Sequence, residues 1–465
     1  MISPRAVAVW LALILAWAPL PFGSVTPLGS TILRLALVAA GLGVVWSSAG
    51  REALRPVAAP IVGLEALAAL GFAQSLRWPR FLAALVSPEH AAMRDGLPEG
   101  ALPDSAGQGV WLSLAPDASR EVALSIALLT IALAAGAVAG RSVRGRVLVL
   151  AAVVASVLFQ VGYGLRSWLS GRPEIWGREV QTPGGIRLRG TFVNPDHAAI
   201  LLEIGMAVCL AWLWWSVRRA RRTPALERRL FLIVAPAACW LASGIGLALT
   251  GSRAALLAAG VGTLGQSLLM LGRSRLRWAP LALLPIGAMV AVAVLAAPGV
   301  GFGRLAATTW DEVATNPRFR VWGLALAVWH RFPWTGSGLG SWEEAVSLVL
   351  PSDLVDIRWT RAHNDYLELL AVGGVVAALL AAVAVGKWAW AVARRLDVAR
   401  PSLERASAQA ALGAALAVGV HELFDFGLSL PGNALTLLAL AGVAAVGLNR
   451  QRSSSGPRPL PGPGS

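Results

Sequence analysis

The sequence predicts an all-α fold: a polytopic membrane helix bundle of about 12 transmembrane helices with one large outward loop. Three observations carry this. The 465 residues are 56% hydrophobic and 14% charged, against about 25% charged in soluble domains. The mean hydropathy is +0.64, and apolar runs near the length of a bilayer crossing recur along the chain. The net charge of +15 is concentrated in short arginine clusters between apolar runs. That is the positive-inside pattern rather than a nucleic-acid footprint.

Taken in order, the apolar runs place helices at 6–21, 31–47, 57–73, 121–140, 147–166, 196–216, 230–250, 253–271, 279–297, 364–391, 404–422 and 431–448. Charge alternation checks the set. Arg51 and Arg55 follow the second run, and Arg141, Arg144 and Arg146 the fourth. Arg218, Arg219, Arg221, Arg222, Arg228 and Arg229 follow the sixth, and Arg273, Arg275 and Arg277 the eighth. Arg394, Arg395 and Arg400 follow the tenth, and Arg450 and Arg452 the last. Both ends then lie on the cytoplasmic side, and the long polar segments 74–120, 167–195 and 298–363 face outward. The N-terminal run reads as an uncleaved first helix rather than a signal peptide, because a series of spans follows. The tail 449–465, rich in Ser, Pro and Gly, reads as a disordered cytoplasmic end. Cys209 and Cys239 lie in apolar runs and form no metal or redox motif.

The polar segment 310–376 organises the chain. It carries Trp310, Asp311, Glu312, Arg318, Arg320, His330, Arg331, Trp334, Trp342, Arg358, Arg361 and His363. Within it, 323–330 is an apolar run too short to span, expected to lie on the surface or re-enter partway. Arg318 and Arg320 precede this run, and guanidinium groups bind phosphate oxygens without losing charge. Binding of lipid headgroups is the competing use. Gly336-Ser337-Gly338-Leu339-Gly340 reads as a tight turn, since a nucleotide fingerprint needs a strand before it and a helix after it.

His363 is the candidate general base. Its ordinary pKa near 6.5 suits proton abstraction from a hydroxyl at neutral pH, with Asp365 or Glu368 to orient it. The competing use is an interfacial histidine beside an Asn364 or Asp365 helix cap. Arg253, in Thr250-Gly251-Ser252-Arg253, sits between two apolar runs, where arginine is costly unless paired; snorkelling to headgroups is the alternative. Arg187, Arg189, Asn194, Asp196 and His197 form another polar cluster. His421-Glu422-Leu423-Phe424-Asp425 ends the eleventh run. It is not a zinc His-Glu-x-x-His motif and reads as a helix-end hydrogen-bond network. His90 and His330 complete the histidines, all five in or at the rim of outward segments. The sequence contains no Asp-x-Asp, no phosphate-binding P-loop and no Gly-x-Ser-x-Gly, which disfavours a nucleotide donor.

As an ordered set, Gly190-Thr191-Phe192-Val193-Asn194-Pro195-Asp196-His197, Thr250-Gly251-Ser252-Arg253, Arg320-Val321-Trp322 with Pro333 and the glycine-rich turn, and Ala362-His363-Asn364-Asp365-Tyr366 resemble the O-antigen ligase and polymerase family. His421 to Asp425 followed by Pro431-Gly432-Asn433-Ala434 is similar to a pattern of its polymerase-like members. The resemblance covers 190–445, leaves 1–185 as N-terminal helices, and departs at Ala377, where the ligase pattern has Gly, Thr or Tyr.

The resemblance implies a GT-C-like glycosyltransferase of the bacterial inner membrane with a periplasmic active site. It would move a glycan from a polyprenyl diphosphate carrier onto a glycan or lipid-linked acceptor. Metal and cofactor are none, and nucleic acid is not a partner; membrane lipids and other polysaccharide-assembly proteins are. His363 would be catalytic, with Arg253 and Arg320 binding the diphosphate. Arg318, Arg361, Asp365, His197, Arg189 and His421 would support them. A polymerase is favoured over a ligase to a lipid core or a protein O-glycosyltransferase. Two other classes compete. A lipid-linked-sugar transporter would usually show internal repeats, which the sequence lacks, and a membrane acyltransferase would take its donor from the opposite side.

Overall fold

The computed structural model describes residues 2–97, 109–181, 185–271, 283–296, 309, 317–355, 358–396 and 402–448. Trp310, Asp311, Glu312, the arginines at 273, 275, 277, 400, 450 and 452, and the tail 449–465 lie outside the described residues.

The helices are α1 (Pro4–Trp17), α2 (Pro27–Val45), α3 (Gly50–Leu54), α4 (Ala58–Gln74), α5 (Arg80–Val86), α6 (Pro88–Asp95), α7 (Pro116–Gly140), α8 (Val143–Leu169), α9 (Pro195–Ala220) and α10 (Leu226–Leu249). They continue with α11 (Arg253–Leu271), α12 (Leu283–Ala296), α13 (Pro317–Arg331), α14 (Trp342–Ser347), α15 (Asp365–Ala393), α16 (Leu403–His421) and α17 (Pro431–Ala445). Each of the twelve expected apolar helices is present. Their starts are written in the sequence. Thr26, Asn194 and Ser402 cap α2, α9 and α16 through side-chain oxygens, and Pro27 and Pro195 occupy the first turn, where a missing N–H costs nothing.

Among the described residues, eight helical stretches are long and apolar enough to cross a membrane: α2, Gly50–Gln74, α7, α8, α9, α10, α11 and α15. The expectation of about 12 full crossings is therefore met by length for eight. At 1.5 Å per residue the 14 and 15 residues of α1 and α17 reach only about 21–23 Å of a core about 30 Å thick. α16 has 19 residues but carries Glu404, Arg405 and His421.

Helix packing rests on small residues, as in bundles that lack a hydrophobic drive between helices. A Cβ on Gly136 of α7 would lie 2.2 Å from the Ala439 carbonyl oxygen of α17, and one on Gly442 of α17 would lie 2.1 Å from that of Leu133. The only described strands are two antiparallel pairs of two residues each, 77–78 with 110–111 and 174–175 with 178–179.

Residues 317–355 form a packed cap. α13 buries Val321, Leu324, Ala325 and Val328. These join Phe332, Leu339, Trp342, Leu354 and Ala362 in a second apolar core that also takes in Leu67 of α4 and Ala371, Val372 and Ala377 of α15. The short apolar run thus lies against α15 rather than crossing. The cap keys into a break in α15 at Gly374 (φ 65°, ψ −171°). Around the break, the Ala371 and Val372 carbonyls accept from the Ser337 and Gly338 amides at 3.1 and 2.9 Å, and the Val375 amide donates to the Pro333 carbonyl at 2.9 Å. The Gln74 amide closes the junction, donating to the carbonyls of Thr335 (2.5 Å) and Val372 (3.2 Å) and accepting from the Leu339 amide (2.9 Å). Non-helical backbone inside a bundle survives where protein satisfies it in this way. The glycine-rich turn is a turn, with positive φ at Gly336, Gly338 and Gly340, and its partner is the broken helix.

Candidate active site at one end of the bundle

The first turns of α9, α15 and α17 and the last turn of α16 meet at one end. Asn194 caps α9, accepting from the Asp196 amide at 2.9 Å, and sets His197 in the first turn, buried at 7% exposure. Asn433 of α17 donates to the carbonyls of His197 (3.0 Å) and Gly427 (3.2 Å). α16 ends at His421, and the following turn folds back with the Glu422 carboxylate accepting the Gly427 amide at 2.9 Å. The Asp365 amide donates to the Glu422 carbonyl at 3.0 Å, which joins the start of α15 to the end of α16. Asn364 caps α15, accepting from Tyr366 and Leu367. Just before it, His363 takes φ 53°, a left-handed conformation that costs a non-glycine residue energy and is concentrated at functional sites.

Asp425, in that returning turn, is the centre. Its Oδ1 lies 3.6 Å from His197 Nε2 and 3.9 Å from His363 Nδ1, and its Oδ2 lies 3.9 Å from His421 Nε2. His421 Nδ1 in turn is 2.6 Å from Glu203 Oε1 of α9. The 3.6–3.9 Å separations exceed hydrogen-bond reach, and all three facing ring nitrogens are buried without a hydrogen-bond partner among the described residues. Phe426 stands between His197 and His363, its ring at 4.7 and 5.1 Å from theirs, edge to face.

The electrostatics divide the groups. Burial opposes ionisation of Asp425, but the His197 contact and the charges of His421 and Arg318 outweigh it and hold its pKa at about 2. Burial, and then the Arg318 charge, push His363 below the ordinary histidine value. Glu422 is pushed well above the carboxylate range by burial and by its neighbour Asp365. At neutral pH the site therefore pairs an ionised Asp425 with an unprotonated His363.

The expected residues fall into two groups. His363, His197, His421 and Arg318 come together; Arg318 Nη1 donates to the Phe424 carbonyl, 2.9 Å away and one residue from Asp425. Arg361 lies beside them, 5.6 Å above the Phe426 ring and 2.8 Å from Glu368 Oε1. Arg320 turns away, pairing at 2.6 Å with Asp353 on an exposed surface. Arg189 is buried and donates to the Val193 carbonyl at 2.9 Å. Arg253 opens α11. Its turn is tied to the site by Arg187, which donates to the Thr250 carbonyl and pairs with Asp196 at 2.5 Å. Among the other histidines, His90 bonds Ser87 at 2.7 Å and His330 lies against Trp329, both outside this cluster.

The orienting carboxylate differs from the sequence expectation. Glu368 is occupied by Arg361 and by the Ala362 amide at 2.8 Å, and Asp365 meets Glu422 rather than His363. Asp425 faces His363 instead. Its signal was present in the His421-x-x-x-Asp425 spacing, but only the fold turns that helix end towards residue 363.

The fold is that of a multi-pass membrane protein, with a cluster of buried histidines and carboxylates at one end of its bundle. Residues 237–382 match the model of a family described as O-antigen ligase, a segment running from α10 through the break in α15. The resemblance to the O-antigen ligase and polymerase family is thereby supported, and with it a glycan-transfer role at a membrane in O-antigen assembly. The matched segment contains Arg253, Arg318, Arg320, Arg361, His363 and Asp365; His197, His421 and Asp425 lie outside it. No curated protein matches the chain.

Proposed function

We propose that the protein transfers a glycan from a polyprenyl diphosphate carrier to an acceptor hydroxyl at the periplasmic face, and that it extends chains as a polymerase. The observation that carries the reading is His363, held in a strained backbone conformation with its Nδ1 towards the buried Asp425.

A proton on Nδ1 facing the Asp425 carboxylate leaves the Nε2 lone pair as the base. An anionic neighbour fixes the tautomer and stabilises the imidazolium that forms. In the step, the acceptor hydroxyl gives its proton to His363 as its oxygen bonds to the anomeric carbon. The bond from that carbon to the diphosphate breaks, and the diphosphate leaves with the electron pair. Direct displacement inverts the anomeric centre. Diphosphate is a good leaving group, so no general acid is needed, and arginine charge stabilises it as it departs.

Arg253 and Arg320 are proposed to hold the diphosphate, with Arg318 beside His363. The Arg320–Asp353 pair is half exposed on both sides, and such pairs are worth about 0–1 kcal/mol, so Arg320 can exchange Asp353 for a diphosphate at little cost. Arg189, Arg361, Asp365, His197 and His421 support the site by position.

The polymerase reading rests on the turn from His421 to Asn433, of which Asp425 and Phe426 lie beside His363. Deletion of the gene followed by mass analysis of the accumulated polyprenyl-linked glycan tests it. Carriers bearing a single repeat unit are the expected result. Long unligated chains would assign the protein as a ligase, and an unchanged carrier pool would remove the transfer role.

A further inference from the structure

His363 holds a left-handed backbone (φ 53°). A non-glycine residue keeps that costly conformation only where the chain on both sides of it is fixed. After it, Asn364 caps α15 and the Asp365 amide docks on the Glu422 carbonyl. Its own carbonyl accepts from the Trp322 indole of α13 at 3.3 Å. Before it, the chain is held by Glu368. This side chain lies in the first turn of α15, is 7% exposed, and reaches back past the helix start. Its Oε2 accepts from the fully buried Ala362 amide at 2.8 Å, and its Oε1 accepts from Arg361 Nη1 at 2.8 Å. One carboxylate thus grips both residues that precede His363, each oxygen taking one donor.

We propose that Glu368 is a positioning residue for glycan transfer: through its two contacts with Arg361 and Ala362 it fixes the main chain that carries His363, and so aims the imidazole. The inference rests on the glycan-transfer reading of the site, with His363 as its base. Glu368 acts on the backbone, while Asp425 faces the ring. With the grip lost, the chain before His363 is free to shift. The strained residue can then relax and turn its ring away from Asp425 and from an acceptor hydroxyl. A displacement of about 1 Å in a reacting group can cost about 100-fold in rate. Glutamine cannot replace the grip. It has one acceptor oxygen, so its NH2 must meet either the Arg361 guanidinium or the Ala362 N–H, donor against donor.

The test is transfer by the purified full-length protein, with the lipid-linked glycan extracted from cells lacking the gene as donor. Glu368→Gln is expected to lower kcat about 10- to 100-fold, with donor KM and the amount of donor bound per protein unchanged. A carboxylate in a first turn also stabilises its helix, and that role alone predicts that bound donor falls together with kcat. The second arm places Glu368→Gln in a His363→Ala background and measures single turnovers. There the substitution should cost nothing further, because the ring it aims is gone. If Glu368→Gln does not accumulate, Glu368→Asp takes its place. It keeps both oxygens but withdraws them by one methylene, and it is expected to show the same loss of kcat with full donor binding. Wild-type kcat in the variant would overturn the inference. So would a loss matched by lost donor binding, or an equal fold loss in the His363→Ala background. Absence of transfer by the wild-type protein, or full transfer by His363→Ala, would instead overturn the reading on which the inference rests.

Discussion

At residue scale the account turns on His363 and Asp425. Burial and the Arg318 charge hold His363 below the ordinary histidine pKa, so its unprotonated, basic form persists to lower pH than that of a free imidazole. Activity should therefore stay level as pH falls to about 6.5 and decline only below it, which a kcat–pH profile will show. Asp425→Asn removes the anion but not the shape. It should cost about 10²- to 10⁴-fold in kcat, with the protein still accumulating in the membrane. His363 was legible because a histidine in a polar loop next to a helix cap stands out in so apolar a sequence. Asp425 was not, because its 62-residue separation from His363 is bridged only when the Asp365 amide docks on the Glu422 carbonyl. Arg320, named on residue type in the sequence, pairs with Asp353 on the exposed surface, a partner that the sequence did not signal.

At the scale of elements, apolar runs and caps fixed helix positions closely, since Ser, Thr or Asn before proline ends a loop for a reason the sequence carries. The break in α15 was not legible. The run 364–391 reads as one helix, and nothing local distinguishes Gly373-Gly374 from glycines tolerated inside a span. The reason is tertiary: the turn at 336–338 occupies the carbonyls that an unbroken helix would use. At Gly374, φ is 65°, and a Cβ would lie 2.2 Å from the Trp334 carbonyl oxygen. Gly374→Ala should therefore destabilise the protein by about 1–3 kcal/mol or more and loosen the cap, seen as a lower Tm in detergent and faster proteolysis within 317–355. An unchanged Tm would show that the cap is not locked at this junction.

At the scale of the whole molecule, one end of the bundle holds the candidate site and the other the arginine clusters. The described arginines 218, 219, 221 and 222 at the end of α9, and 394 and 395 after α15, lie at the helix ends opposite His197 and His363. α1 and α17 fall short of a full crossing by length. α17 nonetheless places Asn433 against His197, so a short helix can serve the site by ending at the right depth. Charge alternation made this polarity legible. The assembly of the site could not be read, because Arg318, His363 and Asp425 lie on segments that only the packed bundle brings together. The most direct measurement is transfer from the extracted lipid-linked glycan by purified wild-type and His363→Ala proteins. The account predicts product from the wild type and at least about a 10²-fold loss in the variant, with unchanged Tm. Normal product from a stably folded His363→Ala protein would contradict it.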